Sequence, residues 1–358
     1  MEPVELKENV WWVANRSESL LEVNVYLLTY PHDKGQTNVM LDPGPTELLN
    51  HLQKKVQPII GGLNKLHALL INHQDPDVAP NAGFIQKMNP NCMVVASEDT
   101  WRLIRFFGLK QNRFKPVESF PTRRVSMPGG QQLVFVPSPF CHFRGAIMYY
   151  DVTSRILFSG DLFGGLSYSQ DLYATEESWE GIKTFHQLYM PSREALQLAV
   201  SLIRNLKPAP EMIAPQHGSI IKGDLVPDFI DRMYNLQVGL DLLKERERKE
   251  NFIGAANELL EELEKDGTLG SVAERIKRWN EDSSFTNIIG FKDGRVVEFK
   301  ADPPTAMKSL IDLLRQDVGT EKESLISLVA LKALIGRNIP IGDILPAEEE
   351  EDLPDYFE

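Results

Sequence analysis

The sequence predicts an α/β fold in which sheets are covered by helices. Three observations carry that expectation. Short strand-like runs alternate with helical stretches over the first two thirds of the chain. Gly, Pro and Asp punctuate the runs where turns are needed. Six residues of metal-ligating type, His73, Asp75, Asp77, His142, Asp161 and His217, follow apolar runs, and strand-end loops are where a sandwich brings distant side chains together.

The elements read in order as follows. Residues 10–13, 23–28 and 38–42 are strand-like, and Pro43-Gly44-Pro45 closes the third. A helix is expected from 46 to about 56. Residues 66–71 form a short apolar run that suits a strand buried on both faces. A short helix at 83–88 and a strand at 93–96 come next. Ser97 then stands as N-cap of a helix to 107. Strands are expected at 133–136, 146–151, 156–159 and 212–215, with a helix over 192–206 before the last.

Beyond about residue 225 the pattern turns helical. Residues 229–263 read as one helix, with a patchy stripe of Leu236, Leu240, Leu243, Ile253, Ala256, Leu260 and Leu263. The charged block 244–250 interrupts it and reads as a solvated face. A heptad-like contact through Leu236, Leu240 and Leu243 would pair two copies. A β-hairpin over 285–291 and 295–299, helices at 305–314 and 321–335, and an acidic tail read as disordered complete the chain. The expected domains are 1–240, then a helical region with a hairpin at 241–347, then the tail at 348–358.

Bulk properties bound the function. The chain has 358 residues, 42% of them hydrophobic, enough for one large domain and a smaller one. A net charge of -13 disfavours nucleic acid and anionic membrane as partners, since both recruit basic faces. The sequence has no apolar run long enough to span a bilayer, and residues 1–7 lack the features of a signal peptide. Two cysteines, Cys92 and Cys141, do not make a disulfide framework, so a reducing cytoplasm is the expected location.

The six residues carry the chemistry. In an extended segment, 73, 75 and 77 point to one side. A chance H-x-D-x-D in a polar turn is common, so this cluster gains weight only with the other three. His142 follows Pro137-Ser138-Pro139. Asp161 sits in Leu157-Phe158-Ser159-Gly160-Asp161-Leu162-Phe163-Gly164, whose apolar flanks bury an acid; buried acids need a partner or a metal. His217 follows an apolar strand and precedes Gly218. Three imidazoles and three carboxylates suffice for two metal ions, and carboxylate-rich sets suit iron or manganese better than zinc.

These motifs, with the Asp42-Pro43-Gly44 turn, resemble the metal motifs of the metallo-β-lactamase fold. The segments Phe185-His186-Gln187-Leu188-Tyr189-Met190-Pro191 and Met212 through Gly218 are similar in particular to the flavodiiron, or oxygen-binding diiron, family. The resemblance spans roughly residues 1–240. It implies an αββα sandwich with a mainly helical C-terminal extension. It also implies that His73, Asp75 and His142 hold one ion, Asp77 and His217 a second, and that Asp161 bridges. Asp75 stands where the hydrolase branch has histidine, which sides with iron. Two departures stand out: Val78 replaces the last motif histidine, and residues 240–358 show no strand with a phosphate loop of flavodoxin type, so no flavin is expected in this chain.

The resulting expectation is a non-haem diiron protein that binds or reduces dioxygen or nitric oxide with electrons from a separate donor protein. It leans toward an oxygen or nitric oxide reductase-like oxidoreductase, with an oxygen sensor open beside it. A zinc-dependent hydrolase of the same fold is the alternative, and zinc or manganese stay open as metals. The family implies a homodimer. His32, His51, His67 and His186 are expected at the surface or behind the ligands, Cys141 as a small buried residue, and Tyr168, Tyr173 and Trp179 in a loop after Asp161 that either covers the metals or simply packs.

Overall fold

The computed structural model describes residues 2–16, 21–166, 171–267, 272–279, 283–316, 318–337, 339–340 and 344. It divides into two compact units, Met1–Asp241 and Leu242–Glu358. Tyr168 and the acidic tail lie outside the described residues.

The first unit holds two sheets. One runs in chain order: β1 (Val4–Lys7), β2 (Val10–Trp12), β3 (Tyr26–His32), β4 (Gly35–Leu41), β5 (Ala68–Leu70), β6 (Met93–Ala96) and β7 (Phe114–Pro116). Pairing is antiparallel from β1 to β4 and parallel from β4 to β7. Parallel neighbours need crossovers. The first two contain α1 (Leu49–Ile60) and α2 (Pro80–Met88), and α3 (Glu98–Ile104) lies between β6 and β7. Ser97 caps α3 as expected, its Oγ accepting from the Thr100 N–H at 3.0 Å.

The second sheet contains β8 (Arg124–Ser126), β9 (Gln132–Pro137), β10 (Ile147–Asp151), β11 (Ile156–Gly160), β12 (Met212–Pro215) and β13 (Ile221–Lys222), in the order β13-β12-β11-β10-β9-β8. Only β11 and β12 are parallel. Their crossover carries α4 (Ser178–Tyr189) and α5 (Arg193–Arg204), and α6 (Leu225–Asn235) follows β13.

Side-chain alternation along the second sheet builds the layers. Phe135, Ile147, Tyr149, Phe158 and Ala214 join a core shared with the first sheet and with Leu52 and Val56 of α1. Their neighbours Val134, Val136, Met148, Tyr150, Leu157 and Ile213 join a separate core with Phe185, Leu196, Val200 and Phe229 of α4 to α6. Strands β9 to β12 are therefore buried on both faces, and the unit is a metallo-β-lactamase-like sandwich of helix, sheet, sheet and helix layers.

The second unit has its own core, which includes Phe252, Leu259, Leu263, Met307, Leu310, Ile326 and Leu334. Its elements are α7 (Leu240–Asp266, starting in the first unit), α8 (Val272–Trp279), α9 (Ser283–Thr286), the hairpin β14 (Ile289–Lys292) with β15 (Arg295–Phe299), α10 (Pro303–Arg315) and α11 (Thr320–Gly336). Asn257 of α7 grips the hairpin, donating to the Val296 carbonyl and accepting from its N–H, both at 2.9 Å. Among the described residues, no helix is long and apolar enough to cross a membrane.

Three sequence expectations shift. The strand expected at 23–28 begins only at Tyr26, because the Asn24 N–H bonds to the Gln216 carbonyl at 2.6 Å instead of to a sheet neighbour. The single helix expected over 229–263 is two, α6 and α7. Gly239, at φ 51°, breaks it where a Cβ would stand 2.4 Å from the Met190 and Pro191 carbonyl oxygens. The hairpin expected from 285 begins at Ile289, after the helical turn α9. Block 244–250 is exposed, as a solvated face should be.

Close packing gives one test. A Cβ on Gly83 of α2 would lie 2.0 Å from the Phe107 carbonyl oxygen. Gly83→Ala is expected to destabilise the first unit by about 1–3 kcal/mol in urea unfolding; an unchanged midpoint would contradict this packing.

Candidate metal centre

The six residues meet at one end of the sandwich. His73, Asp75 and Asp77 follow β5, His142 follows β9, Asp161 follows β11 and His217 follows β12. Each leaves a strand whose apolar residues are locked in a core, so the strands fix the loops.

Asp161 stands at the centre. Its Oδ2 lies 3.5 Å from His73 Nε2 and 3.1 Å from His142 Nε2, and its Oδ1 lies 3.4 Å from His217 Nε2. Asp75 Oδ2 is 3.0 Å from His142 Nε2 and 3.6 Å from His73 Nε2. Asp77 Oδ2 is 3.4 Å from His217 Nε2. Two sets result, one of His73, Asp75 and His142 and one of Asp77 and His217, with Asp161 common to both. His73, His142 and Asp161 offer atoms within 4.8 Å of one another.

The donor set fits a pair of metal ions. Most of the pairs to His73 and His217 stand off at 3.4–3.6 Å, well beyond the roughly 2.7–2.9 Å of a charge-assisted hydrogen bond. His73 Nε2 and Asp161 Oδ1 are buried without a hydrogen-bond partner, a costly state unless something between them is ligated. His73, Asp161 and His217 are buried, whereas Asp75, Asp77 and His142 keep about a quarter of their side-chain surface exposed and form the mouth.

Outer residues orient the rings. Asn72 donates from Nδ2 to the Ile147 carbonyl at 2.6 Å, which leaves its Oδ1 to accept from His73 Nδ1–H at 2.9 Å. The Asn72 N–H donates to Asp42 Oδ1 at 2.7 Å. Gly160, at φ 60°, makes room, since a Cβ there would fall 2.1 Å from the Asn72 side chain. His217 Nδ1–H donates to the Glu22 carbonyl at 2.8 Å. Both rings thus present Nε2 to the carboxylates, the usual way an outer acceptor fixes a ligand imidazole. The Glu22 side chain pairs with Arg16 at 2.7 Å, and both are buried. Arg16 also donates to the Gly218 carbonyl at 3.2 Å, and Asn24 Nδ2 to the Pro215 and Gly218 carbonyls.

Aromatic groups line the other side. Phe185 lies 5.5 Å from the His217 ring and 4.8 Å from Tyr189, which is 6.3 Å from His142. Trp179 is on α4 and packs against Phe229, so it belongs to the helix core and not to a covering loop. Tyr173 bridges to Ile220. Val78 is buried in the main core and offers the centre no donor. Cys141 is buried as expected, and burial pushes its thiol up to about 12. His186 is fully buried; His51 and His67 are exposed and His32 is partly exposed.

The charges are strongly coupled. Burial pushes Asp161 upward, but the charge of His73 beside it and the close approach of His142 and His217 hold it well below the ordinary carboxylate range. Hydrogen bonds to Asp161 and then Asp75 raise His142 to about 10 despite partial burial. Burial lowers His73 and His217, yet the carboxylates outweigh it and raise both. Burial lifts Asp42 to about 7.

The six residues are marked in the sequence by their place after apolar runs, whereas their supports are not. Asn72 and Gly160 adjoin ligand-type residues and were within reach. Arg16 and Glu22 carried no signal, because their contact with the His217 loop is set by the fold alone.

Among known proteins, a family model described as "ODP family beta lactamase" matches residues 21–218. Two structures of the chemotaxis sensor ODP are similar: an apo state from T. denticola (28% identical, covering 68% of this chain and 96% of that one, TM-score 0.57) and a peroxy diiron species (27%, 68%, 99% and 0.58). The anaerobic nitric oxide reductase flavorubredoxin of Pectobacterium carotovorum subsp. carotovorum is 20% identical over 62% of this chain. The chain spans 46% of that reductase and 19% of diflavin flavoprotein A 1 of Synechocystis sp., less than half the length of these curated relatives.

Two outcomes follow from the geometry. A metal takes neutral imidazole, so ion binding must displace the protons that the raised histidines carry. Apparent affinity is expected to rise with pH from 6 to 8, and calorimetry in two buffers should show net proton release; pH-independent affinity would contradict the charge coupling. Arg16→Ala removes the guanidinium from a buried ion pair, so unfolding in denaturant should show a loss of about 3–5 kcal/mol; a loss under 1 kcal/mol would mean the pair is not buried in solution.

Proposed function

The chain belongs to the ODP family beta lactamases, and on that premise we propose that it is a non-haem diiron protein that binds dioxygen, with nitric oxide as the alternative diatomic. The observation that carries this reading is Asp161, whose two oxygens face the two sets of residues on either side. We assign His73, Asp75 and His142 to one ion, Asp77 and His217 to the other, and Asp161 to both. Iron in that place supplies redox chemistry toward a diatomic gas, as hard carboxylate donors favour.

The chain's own residues do the rest. Asp75, Asp77 and His142 form the open side through which a small ligand enters. Leu162, Phe163 and Phe185, all buried, keep bulk water from the opposite side. Val78 leaves Asp77, Asp161 and His217 as the protein donors of their set among the described residues, so that side keeps a free position. Asp75, a carboxylate where a zinc hydrolase of this fold has imidazole, counts against hydrolysis.

The finer parts of the reading have separate supports. Near-complete coverage of the chemotaxis sensor ODP favours oxygen sensing over turnover. Reduction would draw electrons from a separate donor protein. Two buried free cysteines suit a reducing cytoplasm, and a homodimer follows the family resemblance.

Metal analysis tests the core of the proposal. Protein purified without oxygen should carry close to two iron atoms per chain, and stoichiometric zinc without iron would sink it. Asp161→Ala should lose at least one ion; retention of both would refute the bridging role. Oxygen consumption with a supplied reductase separates the finer readings, since stable binding without turnover marks a sensor.

A further inference from the structure

His186 is the one histidine outside the six that is fully buried. It lies on α4, and its Nδ1 is 2.7 Å from the Ile182 carbonyl one turn earlier. A carbonyl only accepts, so the proton sits on Nδ1. Nε2 then offers a lone pair, and it accepts from the Phe163 N–H at 3.1 Å. Burial pushes the ring down to about 4, so it stays neutral and keeps this tautomer near pH 7.

Phe163 is two residues past Asp161. The turn between them is tight: the Gly164 N–H donates to the Asp161 carbonyl at 2.8 Å, and Phe163 adopts φ 66°, unfavourable for a side chain of its size. Ser159 Oγ–H donates to the Leu162 carbonyl at 2.5 Å and holds the other face. Without His186 the Phe163 N–H would be a buried donor with no acceptor.

We propose that His186 is a positioning residue for Asp161, a neutral acceptor that clamps the 161–164 turn and so sets where the two carboxylate oxygens point. The same helix carries Phe185 to His217 and Tyr189 to His142. One rigid element thereby references three of the six residues at once. The proposal rests on the reading of those six as metal ligands.

His186→Phe keeps a planar aromatic ring, slightly larger, and removes the acceptor, and His186→Gln returns an acceptor oxygen near the position of Nε2. Co²⁺ serves as probe, with affinity from chelator competition and geometry from its visible absorption. The Phe variant should bind the ion pair about 10–100-fold more weakly, as loss of outer-shell partners does, with an altered spectrum; the Gln variant should recover most of both. A Phe variant that is merely less heat-stable, with wild-type affinity and spectrum where it is folded, would overturn the proposal. Asp161→Ala is the control: if it too keeps wild-type cobalt binding, the ligand reading itself fails, and the proposal with it. Nitrogen NMR of the zinc-loaded wild type tests the clamp without a variant. The ring should show Nδ1–H and a bare, hydrogen-bonded Nε2, and the opposite tautomer would overturn it.

Discussion

Everything at this end of the molecule answers to one constraint: a carboxylate is sealed between two sheets. Asp161 follows a strand buried on both faces, and its side chain has almost no access to water. Such a charge is tolerable only if positive charge surrounds it. Three imidazoles do so from three strand ends, and two further carboxylates complete them. The arrangement of the sandwich can be read as what is needed to bring those strand ends within reach of one acid.

The supports obey the same logic one step out. Asn72, the Glu22 carbonyl and the Phe163 N–H are polar groups with no water available, and each is satisfied by a neighbour that also orients the centre. Close approach is purchased with glycine at 160, where any side chain would displace Asn72. Ion pairing of Arg16 with Glu22 ties the segment before β3 to the His217 loop.

Much of this was legible in the sequence, for physical reasons that differ by residue. Strand cores such as 93–96 and 212–215 matched because continuous apolar runs admit few alternatives. The six ligand-type residues stood out because polar groups at the ends of apolar runs are conspicuous. Gly239 was a visible helix breaker, yet apolar periodicity on both sides of it suggested continuity; only the approach to the Met190 and Pro191 carbonyls shows why a break is needed there. α4 carries little local signal, since its core-facing residues include the polar His186 and its stripe is short. The role of His186 depends on a backbone N–H 23 residues earlier, which no local pattern encodes.

The first unit has two separate hydrophobic cores, one between the sheets and one beneath α4 to α6. His73, Asp75 and Asp77 belong to the first sheet; His142, Asp161 and His217 belong to the second. Anything that requires all six in place therefore acts as a clasp between two sheets that could otherwise part along their shared face. Its binding free energy is added to the native state by mass action and is lost as soon as either sheet opens. Opening either sheet would then cost the same binding free energy, which would join the two sheets into one cooperative unit. An ion pair held by all six would thus couple a small polar centre at one end to the opening of the whole first unit.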